Sequence, residues 1–129
     1  MFTPHKSDTG AVLPWEYLPA KAGTYQAGQL LNASAGLLTS VSAASTTTPG
    51  YLCMANITVT VGESVPVTRI KRDVIYETEL SAAAASAKIG SKLQVSAGGL
   101  AVDAGAAGSF EISYLDGTAQ GDMVRGRFL

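Results

Sequence analysis

The chain has 129 residues, about one domain's worth, with a net charge of −1, one Cys, one His and one Trp. One Cys excludes an internal disulfide framework and a Cys-based zinc site. A net charge so close to zero argues against an electrostatic grip on nucleic acid, which needs clustered Lys and Arg. No apolar run approaches the ~20 residues of a membrane helix, and no secretory signal is visible. A hydrophobic content of 47% argues against a disordered chain. Ala, Gly, Ser and Thr supply 58 residues, so the expectation is a compact, weakly charged domain that works in contact with other protein.

Residues 1–20 read as an extended N-terminal arm, followed by a single β domain over 21–129. The arm holds Pro4, Pro14 and Pro19, each biasing its predecessor away from helix. It also holds Phe2, Trp15 and Tyr17, the last two on one face of an extended chain. From Gly23 the pattern is short strands punctuated by Gly. Tyr25–Leu31 and Leu37–Val41 flank a turn at Gly36, and 42–50 is a polar loop closed by Pro49-Gly50. Tyr51–Val61 reads as one strand with an alternating tail. Ser64–Ile70 also alternates, and Pro66 predicts an edge or a bulge there. Strands are expected at 73–78, 92–96, 99–102, 109–115 and 123–129. The Ala-rich segment near 80–88 predicts at most one short helix, ended by Gly90.

The two halves of the strand region resemble each other. Gly28, Leu31, Ser34, Ala35, Gly36 and Leu38 match Gly90, Leu93, Ser96, Ala97, Gly98 and Leu100 at an offset of 62. Val61–Val65 parallels Gln120–Val124 at an offset of 59. A length change of three residues between them reconciles the registers, although small residues also match by chance in such a composition. A true duplication predicts two units, each of a β-hairpin plus a strand, closing on one another as a small barrel or sandwich. In either case the class is all-β, with short antiparallel strands.

No constellation for catalysis stands out. His5 lies in the arm, where a rigid setting for a general base is rare. Cys53 sits in an apolar strand with no His in reach, as a packed core thiol does. The carboxylates are scattered, and Glu63 and Asp122 each follow a Gly as turn residues do. Gly98-Gly99 and the 105–108 stretch precede no helix, so they make no phosphate cradle. Arg125 and Arg127 share a strand face from which Phe128 points away, a pattern that suits solubility or salt bridges to a protein partner better than single-stranded nucleic acid. No catalytic residue, cofactor or metal site is expected.

The elements Lys21-Ala22-Gly23, Ala27–Leu31, Val61–Val67, Val74–Glu77, Lys88–Leu93 and Gly121–Phe128 carry a family resemblance over residues 21–129. In them the chain resembles the head decoration (capsid cement) proteins of tailed bacteriophages. The resemblance implies a small β-barrel or tulip-like domain that binds the outside of an expanded phage head and stabilises contacts between capsomers of the major capsid protein. It implies a virion location after synthesis in the host cytoplasm, contacts with neighbouring copies (often as trimers), and no active site. Phe2, Trp15 and Tyr17 are then the candidate capsid contacts, through an arm that adds to a sheet edge. The competing reading is a small β-barrel module that binds carbohydrate or oligonucleotide.

Overall fold

The computed structural model describes all residues, 1–129. The protein is all-β and has no helix. Thirteen short strands form three antiparallel sheets. The first large sheet runs β2 (Glu16–Pro19), β8 (Ser64–Arg69), β6 (Tyr51–Cys53), β4 (Leu30–Ser34), β5 (Leu37–Ser40). The second runs β1 (Thr3–Ser7), β9 (Val74–Glu79), β13 (Met123–Phe128), β12 (Phe110–Leu115), β10 (Lys92–Val95), β11 (Val102–Asp103). A two-stranded ribbon pairs β3 (Gly23–Tyr25) with β7 (Ile57–Val59). No sheet closes into a barrel. The first and last strands of each five-strand set meet only through one parallel bridge, Ala20↔Leu38 in one and Leu80↔Val102 in the other.

The two large sheets share one topology. Leaving β1 aside, β2-β8-β6-β4-β5 and β9-β13-β12-β10-β11 both place the first, last, fourth, second and third strands of a unit side by side. The registers coincide too. Tyr51↔Arg69 and Cys53↔Val67 in the first sheet answer to Phe110↔Phe128 and Ile112↔Gly126 in the second. Leu30↔Leu52 answers to Lys92↔Glu111, and Ala33↔Leu38 to Val95↔Val102.

The turns repeat bond for bond. Gly28 N donates to Cys53 O at 2.9 Å, and Gly90 N to Ile112 O at 2.8 Å. Ala20 N donates to Glu63 O, and Leu80 N to Asp122 O, both at 3.0 Å. Gly62 and Gly121 occupy the same turn with φ of 85° and 87°, a conformation that a side chain would strain. The chain is therefore an internal duplication at the level of topology and register. Only the Leu38/Leu100 match fails. Leu38 is equivalent to Val102, because the second hairpin loop is two residues longer.

Several sequence expectations are corrected by this frame. The Ala-rich segment forms no helix. It follows β9 as the segment from Ala20 through β3 follows β2, and hydrogen bonds from Leu80 N, Ser81 N and Ala84 N to the carbonyls of Asp122, Val102 and Thr118 hold it against distant segments. Helix propensity over so few residues is too weak to compete with those tertiary contacts. Tyr25–Leu31 is broken at Gly28, and Tyr51–Val61 is split between β6 and β7 in different sheets. Pro66 lies in an interior strand, not at an edge. It is tolerated because β6 ends at the Cys53↔Val67 rung, beyond which Pro66 need only accept, from Met54 N at 3.0 Å.

Two apolar clusters hold the sheets. The smaller packs Ala20, Tyr25, Leu31, Leu38, Cys53, Val59, Val65 and Val67 inside the first repeat. The larger gathers Tyr76, Leu93, Phe110, Ile112, Val124 and Phe128 from the second repeat. It also takes Leu30 and Leu52 from the opposite face of the first sheet, so the repeats share this core. Phe2 belongs to it as well.

Candidate protein-contact surface

The first twenty residues supply two strands, β1 and β2, one in each large sheet, joined by a turn at Asp8-Thr9 and an irregular segment, so they are fastened to the body at two places. β1 adds to the edge of β9, with a bulge between Pro4 and Lys6. Phe2 is 1% exposed, with its ring centroid 6.0 Å from that of Phe110 and 5.9 Å from that of Phe128. Phe2 N donates to Gly28 O at 2.8 Å, which ties the terminus to the first repeat. Phe2 is thus corrected from a surface anchor to a core residue. Burying so large a ring gains more than leaving it on a flexible terminus.

Trp15 and Tyr17 do remain on the surface, at 52% and 67% exposure. β2 pairs with β8 on one side only, so its other edge faces outward. Along it Glu16, Leu18 and Ala20 turn inward while Trp15, Tyr17 and Pro19 turn out, the period of two that an extended segment imposes. On the inward side, Arg69 grips Glu16 with two bonds, Nε to Oε2 at 2.7 Å and Nη2 to Oε1 at 3.2 Å. That hydrogen bonding holds the Glu16 carboxyl below its ordinary pKa. The same guanidinium lies 5.8 Å from the Tyr51 ring centroid. Neither aromatic side chain on the outward side makes a hydrogen bond, so the stripe offers two partly exposed rings on a strand that is itself anchored.

The outward face of the second sheet is different in kind. Glu77 accepts from Arg125 Nε at 2.9 Å and lies 4.0 Å from His5 Nδ1. Arg125 also covers the Tyr114 ring at 5.1 Å. Arg127 reaches Asp8 at 2.7 Å and the Arg72 carbonyl at 3.3 Å. Both arginines share a face, with Phe128 turned inward, and their charges are used in bonds within the chain.

The remaining reactive groups have structural surroundings. Cys53 is fully buried, burial pushes its thiol pKa up, and its Sγ lies 3.2 Å from the Ala55 carbonyl oxygen. Burial alone would raise the Asp103 carboxyl. Bonds from Gln94, the Gly105 N–H and Ser96 outweigh that and hold it below the usual carboxylate range. No three His, Cys, Asp or Glu side chains come together as a metal centre would need. The surface hollows reach only about 270 Å³, below the ~300 Å³ at which ligand pockets begin. Neither a scan against protein-family models nor a search of curated proteins finds a match to this chain.

The separation between Phe2 and the pair Trp15–Tyr17 was not legible in the sequence. All three are aromatics in a Pro-rich segment. Only the apolar spacing that Phe2 finds between Phe110 and Phe128 tells them apart.

Proposed function

We propose that this chain is a structural virion protein that attaches to the outer surface of an expanded phage head and holds capsomers of the major capsid protein together. The reading rests on the resemblance of residues 21–129 to head decoration proteins. The observation that carries it in the fold is the exposed Trp15–Tyr17 stripe on an anchored edge strand. Rigid aromatics on a fixed strand lose little conformational entropy when covered, which is what makes Trp and Tyr effective contact residues. Each copy need bind only modestly, because many copies on one shell add avidity. The role is non-enzymatic, and its site is the virion exterior.

Deleting residues 1–20 would remove Phe2 from the core along with the contact residues, so the discriminating variant is the double substitution Trp15→Ser and Tyr17→Ser. Both side chains are exposed, and the fold should survive, as a thermal melt would check. Cryo-electron microscopy of expanded heads mixed with each protein reads occupancy directly. The native chain is expected to decorate the exterior and the double variant to lose most of its density. Full occupancy by the variant, or no decoration by the native chain, overturns the proposal.

A further inference from the structure

The duplication exposes an unfilled place. In the second repeat the outer edge of β9 carries β1, with Thr3 opposite Glu77 and Lys6 opposite Ile75. The equivalent edge of the first repeat is the outer edge of β2, where Tyr17 stands for Glu77 and Trp15 for Ile75. No strand pairs with it between Trp15 and Tyr17; β5 meets it only beyond Pro19. We propose that this edge pairs with the same edge of a second copy of the chain, antiparallel, about a two-fold axis at Glu16.

The backbone accounting selects that partner. Ala20 N bonds Glu63 O, so the even-numbered residues of β2 face β8 and the odd-numbered ones face outward. Tyr17 lies opposite Pro66, which has no N–H and whose carbonyl is taken by Met54 N. Trp15 makes no backbone hydrogen bond at all. Toward Pro19 the edge is already met by β5, through Lys21 N to Leu38 O at 2.9 Å. Two donors and two acceptors therefore remain, on Trp15 and Tyr17. Antiparallel pairing centred on Glu16 sets Trp15 against the partner copy's Tyr17 twice over, and uses all of them.

The side chains agree with that register. Each Trp15 meets a Tyr17 across the strands, the aromatic pairing that stabilises sheets. Glu16 meets its own counterpart on the other face, where each carboxylate is already neutralised by an Arg69. β1, the edge strand of the other sheet, is protected by Pro4, Lys6 and a bulge, the usual defences against pairing. β2 has no charge on its outward face. Pro14 and Pro19 bracket it, so the joint stays two rungs long and closes as a pair rather than growing. A contact that small gives a weak, concentration-dependent dimer.

The proposal goes beyond head binding and does not depend on it. Pairing uses the backbone edge and leaves the rings of both copies on one sheet face as a doubled aromatic patch. It predicts a dimer off the shell, whereas the trimers that the family resemblance implies are those on the capsid. Sedimentation of the full chain over a concentration series is expected to show monomer and dimer. Hydrogen exchange at the Trp15 and Tyr17 amides should slow as the dimer forms, and fluorescence of Trp15, the sole Trp, should shift in step. Tyr17→Pro removes two intermolecular bonds without touching the β8 ladder, and should weaken the dimer about 30-fold. Glu16→Lys gathers four cations at the axis and should weaken it about tenfold or more. A monomer or a trimer at every concentration, amide exchange that ignores concentration, or a dimer indifferent to both substitutions overturns the proposal. None of those outcomes bears on decoration of heads, which is measured on particles.

Discussion

The two repeats have the same backbone and opposite surfaces. In the first, the row Leu30–Leu52–Thr68 crosses the sheet fully buried. In the second, the equivalent row is Lys92–Glu111–Arg127, partly or wholly exposed. The reason is order of stacking. The first sheet's far face is covered by the second repeat and must be apolar, whereas the second repeat's far face meets water and carries alternating charge. Turns and register thus define the unit, and position in the stack decides which face is greasy. The charged row also opposes further stacking, since a third layer would have to take its charges out of water.

The inner faces differ as well, in how they fill the same space. Val67 in the first repeat is equivalent to Gly126 in the second, and Tyr51 to Phe110. In the first repeat the valine is buried while Tyr51 sits half-buried beneath Arg69. In the second the Phe110 ring turns fully inward, and it leaves no room for a side chain at Gly126. In the second repeat the Phe110 ring thus lies where the first repeat has a valine side chain, so the two positions are filled differently.

The sharpest way to break this comparison is to truncate the equivalent aromatics. Phe110→Ala should cost about 4 kcal/mol, because it empties a site shared with Phe2 and Phe128. Tyr51→Ala should cost about 1 kcal/mol, since a half-exposed ring is removed. Urea denaturation of both variants measures the gap, and equal losses would mean that the repeats carry equal cores. Next in size, Gly126→Ala should cost about 2 kcal/mol, because its new methyl would meet the Glu111 carbonyl and the Phe110 ring. A neutral result in the same assay would show that the second repeat has room for the first repeat's packing.

The smallest effect is a pH dependence at a position that is ionisable in one repeat and not in the other. Asp103 is equivalent to Thr39, and only Asp103 is ionisable. Its folded pKa is depressed, so the stability it confers is present above the unfolded value of about 4 and is lost as pH falls through the lower folded value. Asp103→Asn should cost about 1 kcal/mol at neutral pH and make the acid limb of the stability curve less steep, with the lowered Glu16 and Glu63 carboxyls keeping the rest of it. Thr39→Val should leave that limb unchanged. Denaturation at a series of pH values separates the two.

Much of the unit was readable without coordinates. The Gly28/Gly90 and Gly62/Gly121 matches mark turns that recur bond for bond, because a positive φ is a local demand that one residue type answers. The strand at 64–69 follows from alternation, and those at 74–79, 92–95 and 123–128 from short runs punctuated by Gly, signals contained in a few neighbouring residues. The helix expected near 80–88 failed because its competitors, Asp122, Val102 and Thr118, are distant in the chain. Pro66 was misplaced for a similar reason, since its tolerance depends on where β6 ends.

What the sequence by itself determined is the all-β class and the duplicated turns, which arise from contacts among near neighbours and from backbone angles. Tertiary structure alone decided that Phe2 is core while Trp15 and Tyr17 are surface, that the first repeat's far face is buried, and that β9 has a strand at its edge while β2 has none between Trp15 and Tyr17. Each of those outcomes depends on which distant segment reaches a surface first and excludes water from it, and no local pattern encodes that.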